Sequence, residues 1–572
     1  RGGRLMARRN WHHRLGWLVA GALAAAAVLP GAASAFEPPL VGSTDPVHFD
    51  RPINLSQPQW GISGAGKYLA GRHAEKQQDL VRAIELLETA LGFDPNHLAL
   101  RQHVFFLMLL EGELEDAAQH ARAIVRQEPD AFLPLIALAV LDIGRGQHET
   151  ARQRLSALDA SGHVGLMRTL MQAWASVGAG DLDTARTVLD KPLEADGWDS
   201  IRPIQRVLIE DVGGGDAAKA YENVLGSDGA TPRLQDLHAN FQARQTDPSV
   251  EPLIGNAAEG VSQAFATIAG ALVRGDRHQS GLIYARLGLA LTPGDVSLLL
   301  LTANALQNQE RYVDAASIYA QVAPASGFYY PAQVAKARNL ARAERNEEAI
   351  QVLKPLKDSE EARLDALTLL GDIFRGEQRF EEAAAAYDAA FASNKAVASQ
   401  DWRLLYTRGI ARERTGNWAG AEADLKAAPA INEEHPLVLN YLGYSWIDRG
   451  EHLEKATAMV RRAAELRPDD GFIADSVGWA AYRTGDYETA VKELERAVTL
   501  EPVDPIINEH LGDAYWKVGR RTEARYQWQR ALTFDPEKAR IEDLNQRIRC
   551  GLRLCKVGER SNRAGEWTNL DQ

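Results

Sequence analysis

Catalysis and metal binding need particular side chains at particular spacings, and this chain is poor in them. His148-Glu149 opens the helical motif in which two histidines four residues apart hold zinc, but Arg152 stands where the second histidine belongs. Gly61-Ile62-Ser63-Gly64 misses the Gly-x-Ser-x-Gly turn that exposes a serine nucleophile, and it lies in a proline-rich stretch. Gly61, Gly66 and Lys67 have the Gly-x4-Gly-Lys spacing of a phosphate loop, but Tyr68 stands where its Ser or Thr belongs, and no strand pattern precedes the glycine clusters, so a nucleotide site is not expected. The acid pairs Glu347-Glu348, Glu381-Glu382 and Glu433-Glu434 fall at helix starts and loops, where they complement the helix dipole. Cys550 and Cys555 are the two cysteines, with no histidine pair near them to complete a metal site. In a continuous helix five residues rise about 7.5 Å, beyond the roughly 7 Å reach of a disulfide. Gly551 would let the helix break and the bridge form, so both states stay open. The expectation is no enzyme, no cofactor and no metal.

The remaining candidates are aromatic and charged residues, and their spacing is the informative part. The chain has 572 residues, 45% hydrophobic and 25% charged, an ordinary composition for a folded protein. A net charge of −13 without a dominant basic block argues against nucleic acid as a partner. Pro468, Pro502 and Pro536 are evenly spaced, and Gly478 to Gly512 and Ala490 to Ala524 span the same interval. Pro95 and Pro129, the ladder Ala117, Ala151 and Ala185, and the pairs Ala303 and Ala337, and Gly409 and Gly443, repeat it. Each unit reads as two amphipathic helices. In the unit spanning 471–504, helix A runs from Phe472 to Thr484 and helix B from Tyr487 to Leu500, with Ala490, Leu494 and Ala497 at i, i+4, i+7. Gly485-Asp486 separates the two, Pro502 stops the second, and Asp504 caps the next.

Small residues at the eighth and twentieth positions let the helices approach, and large ones fill the space around that contact. Trp528, Tyr387 and Tyr319 share the large helix B position and are read as core. This pattern, with its period of about 34 residues, resembles the tetratricopeptide repeat. The resemblance implies an all-α fold, an α-solenoid of tandem helix-turn-helix repeats wound into a right-handed superhelix, with about 12 or 13 units. It is strong over 364–538, good over 64–198 and 296–353, and weak over 199–261, where a degenerate repeat is expected. The units at 364 and 402 stand further apart than the common interval, and one residue is inserted near Gly450-Glu451.

In such repeats helix A lines the concave groove through positions 2, 5, 9, 12 and 13, which share one face. The later units place Tyr406, Asn440, Tyr444, Asp475, Trp479, Tyr482, Arg483, Glu509, Asp513, Trp516 and Lys517 there. Arg403, Glu413, Arg414, Leu437, Asp448, Phe472 and Ile506 hold further groove positions. Mixed aromatic and charged residues suit recognition of a protein partner. Packing of Trp479 and Trp516 between adjacent A helices is the alternative. The Lys, Asn and Arg clamp with which some relatives hold a carboxyl terminus is not found in consecutive units.

The ends read differently. Met6 opens an export signal, with residues 1–5 as upstream sequence. Arg8, Arg9 and Arg14 precede an apolar run from Leu15 to Leu29, and Ala33-Ser34-Ala35 offers a cleavage site before Phe36. Retention as an anchor is the alternative. No cysteine stands near the site, so no lipid anchor is expected there, and the mature chain is placed in the periplasm. The spans are then 1–35 signal, 36–63 Pro-rich linker (an extended tether or a surface-packed arm), 64–230 N-terminal repeats, 231–261 irregular, 262–540 C-terminal repeats, and 541–572 capping helix and basic tail.

The runs Asn440 to Ile447, Asp470 to Trp479 and Asn508 to Trp516 resemble exported tetratricopeptide proteins of alphaproteobacteria. More distantly, they are similar to lipoproteins that act as adaptors for carboxyl-terminal processing proteases and help degrade cell-wall hydrolases. This chain departs from those in lacking the lipid-accepting cysteine. The resemblance implies a non-catalytic periplasmic scaffold or adaptor, whose partners are a protease of that class or cell-wall hydrolases. An assembly factor for envelope or polysaccharide export machinery is the alternative.

Overall fold

The computed structural model describes residues 63–158, 162–193, 198–226, 232–247, 249–432 and 434–552. The export segment, nearly all of the linker, the tail from 553 onward and Cys555 lie outside the described residues. Every regular element among the described residues is a helix. The chain divides into two compact units, Arg1–Val352 and Leu353–Gln572.

The first unit holds α1 Gly64–Lys76, α2 Leu80–Phe93, α3 Leu98–Glu111, α4 Leu114–Gln127, α5 Phe132–Gly144, α6 His148–Leu155, α7 Gly162–Gly178, α8 Leu182–Asp190, α9 Trp198–Val212, α10 Ala217–Leu225, α11 Pro232–Thr246, α12 Ala257–Arg274, α13 His278–Leu291, α14 Val296–Asn308, α15 Tyr312–Tyr319 and α16 Tyr329–Arg342. The division falls inside α17, Asn346–Leu356. The second unit continues with α18 Arg363–Gly376, α19 Phe380–Ser393, α20 Lys395–Ala398, α21 Trp402–Arg414, α22 Trp418–Ile431, α23 Pro436–Arg449, α24 Leu453–Leu466, α25 Gly471–Thr484, α26 Tyr487–Leu500, α27 Pro505–Lys517, α28 Arg521–Thr533 and α29 Lys538–Cys550.

A backbone ladder sets the repeat. The turn from helix A to helix B carries a left-handed residue, and these fall at Gln78, Gly112, Gly146, Gly180 and Gly214, then Asp276, Glu310, Glu344 and Gln378, then Gly416, Gly450, Gly485 and Gly519. The interval is constant within each run, except that the step from Gly450 to Gly485 is longer by one position. That extra residue takes the form of a second left-handed position, His452 at φ 44°. Between Gln378 and Gly416 the short helix α20 accommodates the longer connection. Between Gly214 and Asp276 the ladder loses phase, because α11 is followed by an irregular stretch to Asn256 in place of a helix B. Aspartates seal many helix starts: Asp79, Asp181, Asp295, Asp486 and Asp504 each accept a first-turn N–H.

The two units build their cores differently. In the first, one continuous cluster runs from Ala74 to Ala335. The array curls back on itself there: α12 and α13 pack against α3, α5 and α7. Gly260 on α12 passes so close to the buried Trp174 ring that a Cβ would collide with it. The Arg311 guanidinium meets the Glu111 carboxylate at 2.6 Å, and Gln78 Nε2 donates to the Gln309 carbonyl at 3.1 Å. The second unit is a string of small clusters, each shared by neighbouring repeats: Leu405 with Ala428 and Val438, Leu439 with Ala463 and Ile473, Ala474 with Ala497 and Ile507. That is nearest-neighbour stacking, in which each pair of helices buries what the previous pair exposes. Trp528, Tyr387 and Tyr319 are all buried, as their helix B position predicts.

Candidate functional site

Helices α21, α23, α25 and α27 are the A helices of successive repeats in the second unit, and they carry the sequence-predicted groove residues. The face is more filled than spacing alone suggests. Tyr406 is half-buried and meets the Tyr441 ring edge-on at 5.8 Å; burial pushes its hydroxyl up to about 12, against the pull of Arg375 and Arg467. Tyr444 is half-buried, with its ring 6.5 Å from that of His510 two repeats further on. Arg483 donates to the Asp448 carbonyl at 2.6 Å, tying α25 to the end of α23. Lys517 is exposed, its ammonium 6.0 Å from the Tyr482 ring.

Trp479 stacks in parallel between Tyr482, at 4.7 Å, and His510 of the next A helix, at 4.0 Å. Trp516 lies 5.5 Å from Trp528 and is covered by Gly551, where a Cβ would run into the indole. For both tryptophans, packing between neighbouring helices is thus what the structure shows. Two polar atoms on this face are left over: Asn440 Oδ1 and Trp479 Nε1 are shielded from water and have no hydrogen-bond partner. A buried group in that state costs about 1–3 kcal/mol.

Three of the groove acids, Asp475, Glu509 and Asp513, are not open to solvent. Asp475 accepts from His510 Nδ1 at 2.9 Å, with both side chains buried. Burial disfavours the imidazolium, but Asp475, with Glu509 and Asp513 beyond it, outweighs that and holds the His510 pKa above its ordinary value. Glu509 and Asp513 are claimed by the terminal helix α29. Arg540 reaches Glu509 at 2.9 Å, and Arg547 reaches Glu509 at 3.1 Å and Asp513 at 2.5 Å. Asp513 also accepts from Trp528 Nε1 at 2.9 Å. Burial raises its pKa to about 6 in spite of Arg547, with the Glu509 charge adding to the rise.

Sequence spacing did not single out His510, Arg540, Arg547 or Glu537. The signal for the first was present: His510 follows Asp475 by about one repeat, which sets the two on facing A helices. Cys550, the last residue of α29, is disulfide-bonded, and the second cysteine, Cys555, lies outside the described residues. Among the described residues no cluster of three or more His, Cys, Asp and Glu could hold a metal ion. No described helix is long and apolar enough to cross a membrane.

Paired helices, a turn ladder constant within each run and nearest-neighbour stacking in the second unit define an all-α solenoid protein. The family model described as tetratricopeptide repeat matches residues 334–398 and 478–539 of it. The TPR repeat-containing protein PA4667 of Pseudomonas aeruginosa is 31% identical over 177 residues, which cover 31% of this chain and 29% of that protein. The chain therefore spans under a third of that relative's length. Among solved structures, a chain of the APC/C hetero-tetramer Cut9-Hcn1 is similar at 14% identity and a TM-score of 0.33, over 86% of this chain and 90% of its own. TTC0263, a thermophilic TPR protein of Thermus thermophilus, is similar at 23% identity and a TM-score of 0.29, over 33% of this chain and 100% of its own. MamA is similar at 19% identity and a TM-score of 0.25, over 34% of this chain and 98% of its own. Stacked repeats of this type present extended concave surfaces and serve as protein-interaction scaffolds.

Proposed function

We propose that the chain is an exported adaptor whose second unit holds a protein partner along the A-helix face of residues 402–517. One version of this role delivers substrates, cell-wall hydrolases among them, to a periplasmic protease of the carboxyl-terminal processing class. The observation that carries the binding reading is the pair of unpartnered atoms among the groove aromatics, Asn440 Oδ1 and Trp479 Nε1. An extended or helical partner supplies the missing donor and acceptor, and the half-buried rings of Tyr444, Trp479 and Tyr482 supply rigid apolar contact at low entropic cost. Export rests on the arginines, apolar run and small-residue site of residues 6–35.

The test is capture from periplasmic extract on the chain from Phe36 to Gln572. A variant with Trp479→Ala, Tyr482→Ala and Trp516→Ala runs beside it once circular dichroism shows its helices intact. A protease or wall hydrolase held by the wild type and lost by the variant supports the adaptor reading. Equal capture by both moves the site off this face. Recovery of membrane transport components instead supports an envelope-assembly role.

A further inference from the structure

The terminal helix α29 packs on α28 and reaches the groove acids Glu509 and Asp513 with two arginines. Helix α29 sends Arg540 and Arg547, seven residues apart and so on one face two turns apart, toward the concave side. Both pair with Glu509 of α27, and Arg547 also pairs with Asp513 of the same helix. Leu544 lies between them and is fully buried against the last repeat. At the start of the helix Glu537 pairs with Arg414 of α21 at 3.0 Å, across 123 residues of sequence. Two predicted groove residues, Glu509 and Asp513, are thereby engaged from within the chain. Glu509 and Asp513 keep 4% and 5% of their side-chain surface exposed, so their charges depend on those arginines.

We propose that the groove is an acceptor for a helix bearing a basic, an apolar and a basic residue at i, i+4 and i+7, and that α29 occupies it in cis until a partner helix of that pattern displaces it. The inference rests on the 402–517 face being the binding face. An occupant tethered in cis competes at a millimolar effective concentration, so the resting chain holds such partners weakly. Displacement frees the groove and opens the way to Asn440 and Trp479.

The probe is a labelled peptide of residues 535–552 with Cys550→Ser, added in trans to the full chain. The wild type is expected to bind it about a hundredfold more weakly than a full-chain variant with Arg540→Glu and Arg547→Glu, whose α29 is repelled by Glu509 and Asp513. A peptide carrying the same two reversals is expected to bind neither chain. Equal binding of the native peptide by both chains overturns the proposal, as does binding of the reversed peptide. Hydrogen exchange on the wild type gives an answer even where the variant unfolds. The amides of α29 are expected to open in an event that leaves α25 to α28 protected, and to open faster in 1 M than in about 0.1 M salt, where charge pairs are screened less. Opening only together with those helices overturns it. Neither negative result touches capture of a partner by the Trp479 face, so the broader reading stands or falls separately.

Discussion

His510 and Asp475 sit on adjacent A helices, 2.9 Å apart from Nδ1 to Oδ1 and both buried, with the Trp479 ring stacked on the imidazole. Tyr444 faces the imidazole from α23 and Glu509 and Asp513 act on it from α27, and those two acids pair in turn with Arg540 and Arg547 of α29. The joint between the last two repeats is therefore an ionic one, set under the aromatic face that the partner reading uses.

Its stability should depend on pH with a definite sign. The His510 pKa is raised on folding, so its contribution is complete below about 6.5 and is lost as pH rises through the folded value. Asp513 is raised from 3.8 to about 6, so its ionisation works against folding and stability falls as pH rises through that interval. The His510 effect makes the C-terminal repeats less stable at pH 9 than at pH 6, whereas the Asp513 effect is nearly complete by pH 6. Urea unfolding followed by tryptophan fluorescence across that range checks this. His510→Gln should flatten the alkaline limb, and identical profiles for the variant and the wild type would remove His510 as its source.

Arg408 and Asp424 form a second buried pair, joined by two bonds of 2.6 and 2.8 Å, with the Phe391 ring 3.7 Å below the guanidinium. Arg408→Ala strands Asp424 with Arg412 alone, 2.9 Å away. A loss of about 3 kcal/mol is expected, at the low end for a broken buried pair because that second arginine remains. Replacing both partners, Arg408→Met with Asp424→Leu, should cost far less than the single change. Denaturant midpoints of the three proteins decide it.

Gly478 and Gly512 test the packing that makes the repeat visible. A Cβ on Gly478 would fall 2.6 Å from Leu494 Cγ, and one on Gly512 2.5 Å from the Trp528 indole. Either alanine forces the helix pair apart at about 1–3 kcal/mol. A cavity-making partner change, Leu494→Ala with Gly478→Ala, should cost less than the sum of its single changes, because the cavity admits the new methyl. Thermal unfolding of the four proteins reads out the coupling.

This close packing is why the repeat and its helix pairs were legible: small residues fit best at that contact, so Gly and Ala recur there in most units. Groove positions were legible for the same reason, as spacings of three and four on helix A. Their occupancy was not. Glu509 and Asp513 read as open acids because the arginines that bury them come from the helix after the last full repeat, where no ladder points. The closure of the first unit was equally hidden, since Gln78 and Gln309 meet across 231 residues with nothing in either to mark it.

The turn ladder also contains positions that glycine counting misses, and these offer the cleanest test of it. Gln378 adopts φ 61° at the place where Gly519 adopts φ 88° in a later repeat. A left-handed backbone costs an L-residue about 1–2 kcal/mol, and glycine removes that strain while giving back about 0.5–1 kcal/mol in unfolded-chain freedom. Gln378→Gly should therefore stabilise the second unit by about 0.5–1 kcal/mol, since the Gln378 side chain is exposed. Gly519→Gln should destabilise it by a similar amount, and for backbone reasons alone, because a Cβ there meets nothing within 4 Å. Opposite shifts in unfolding midpoint are expected. Shifts of the same sign would mean that the two turns, though in register, are not equivalent in energy.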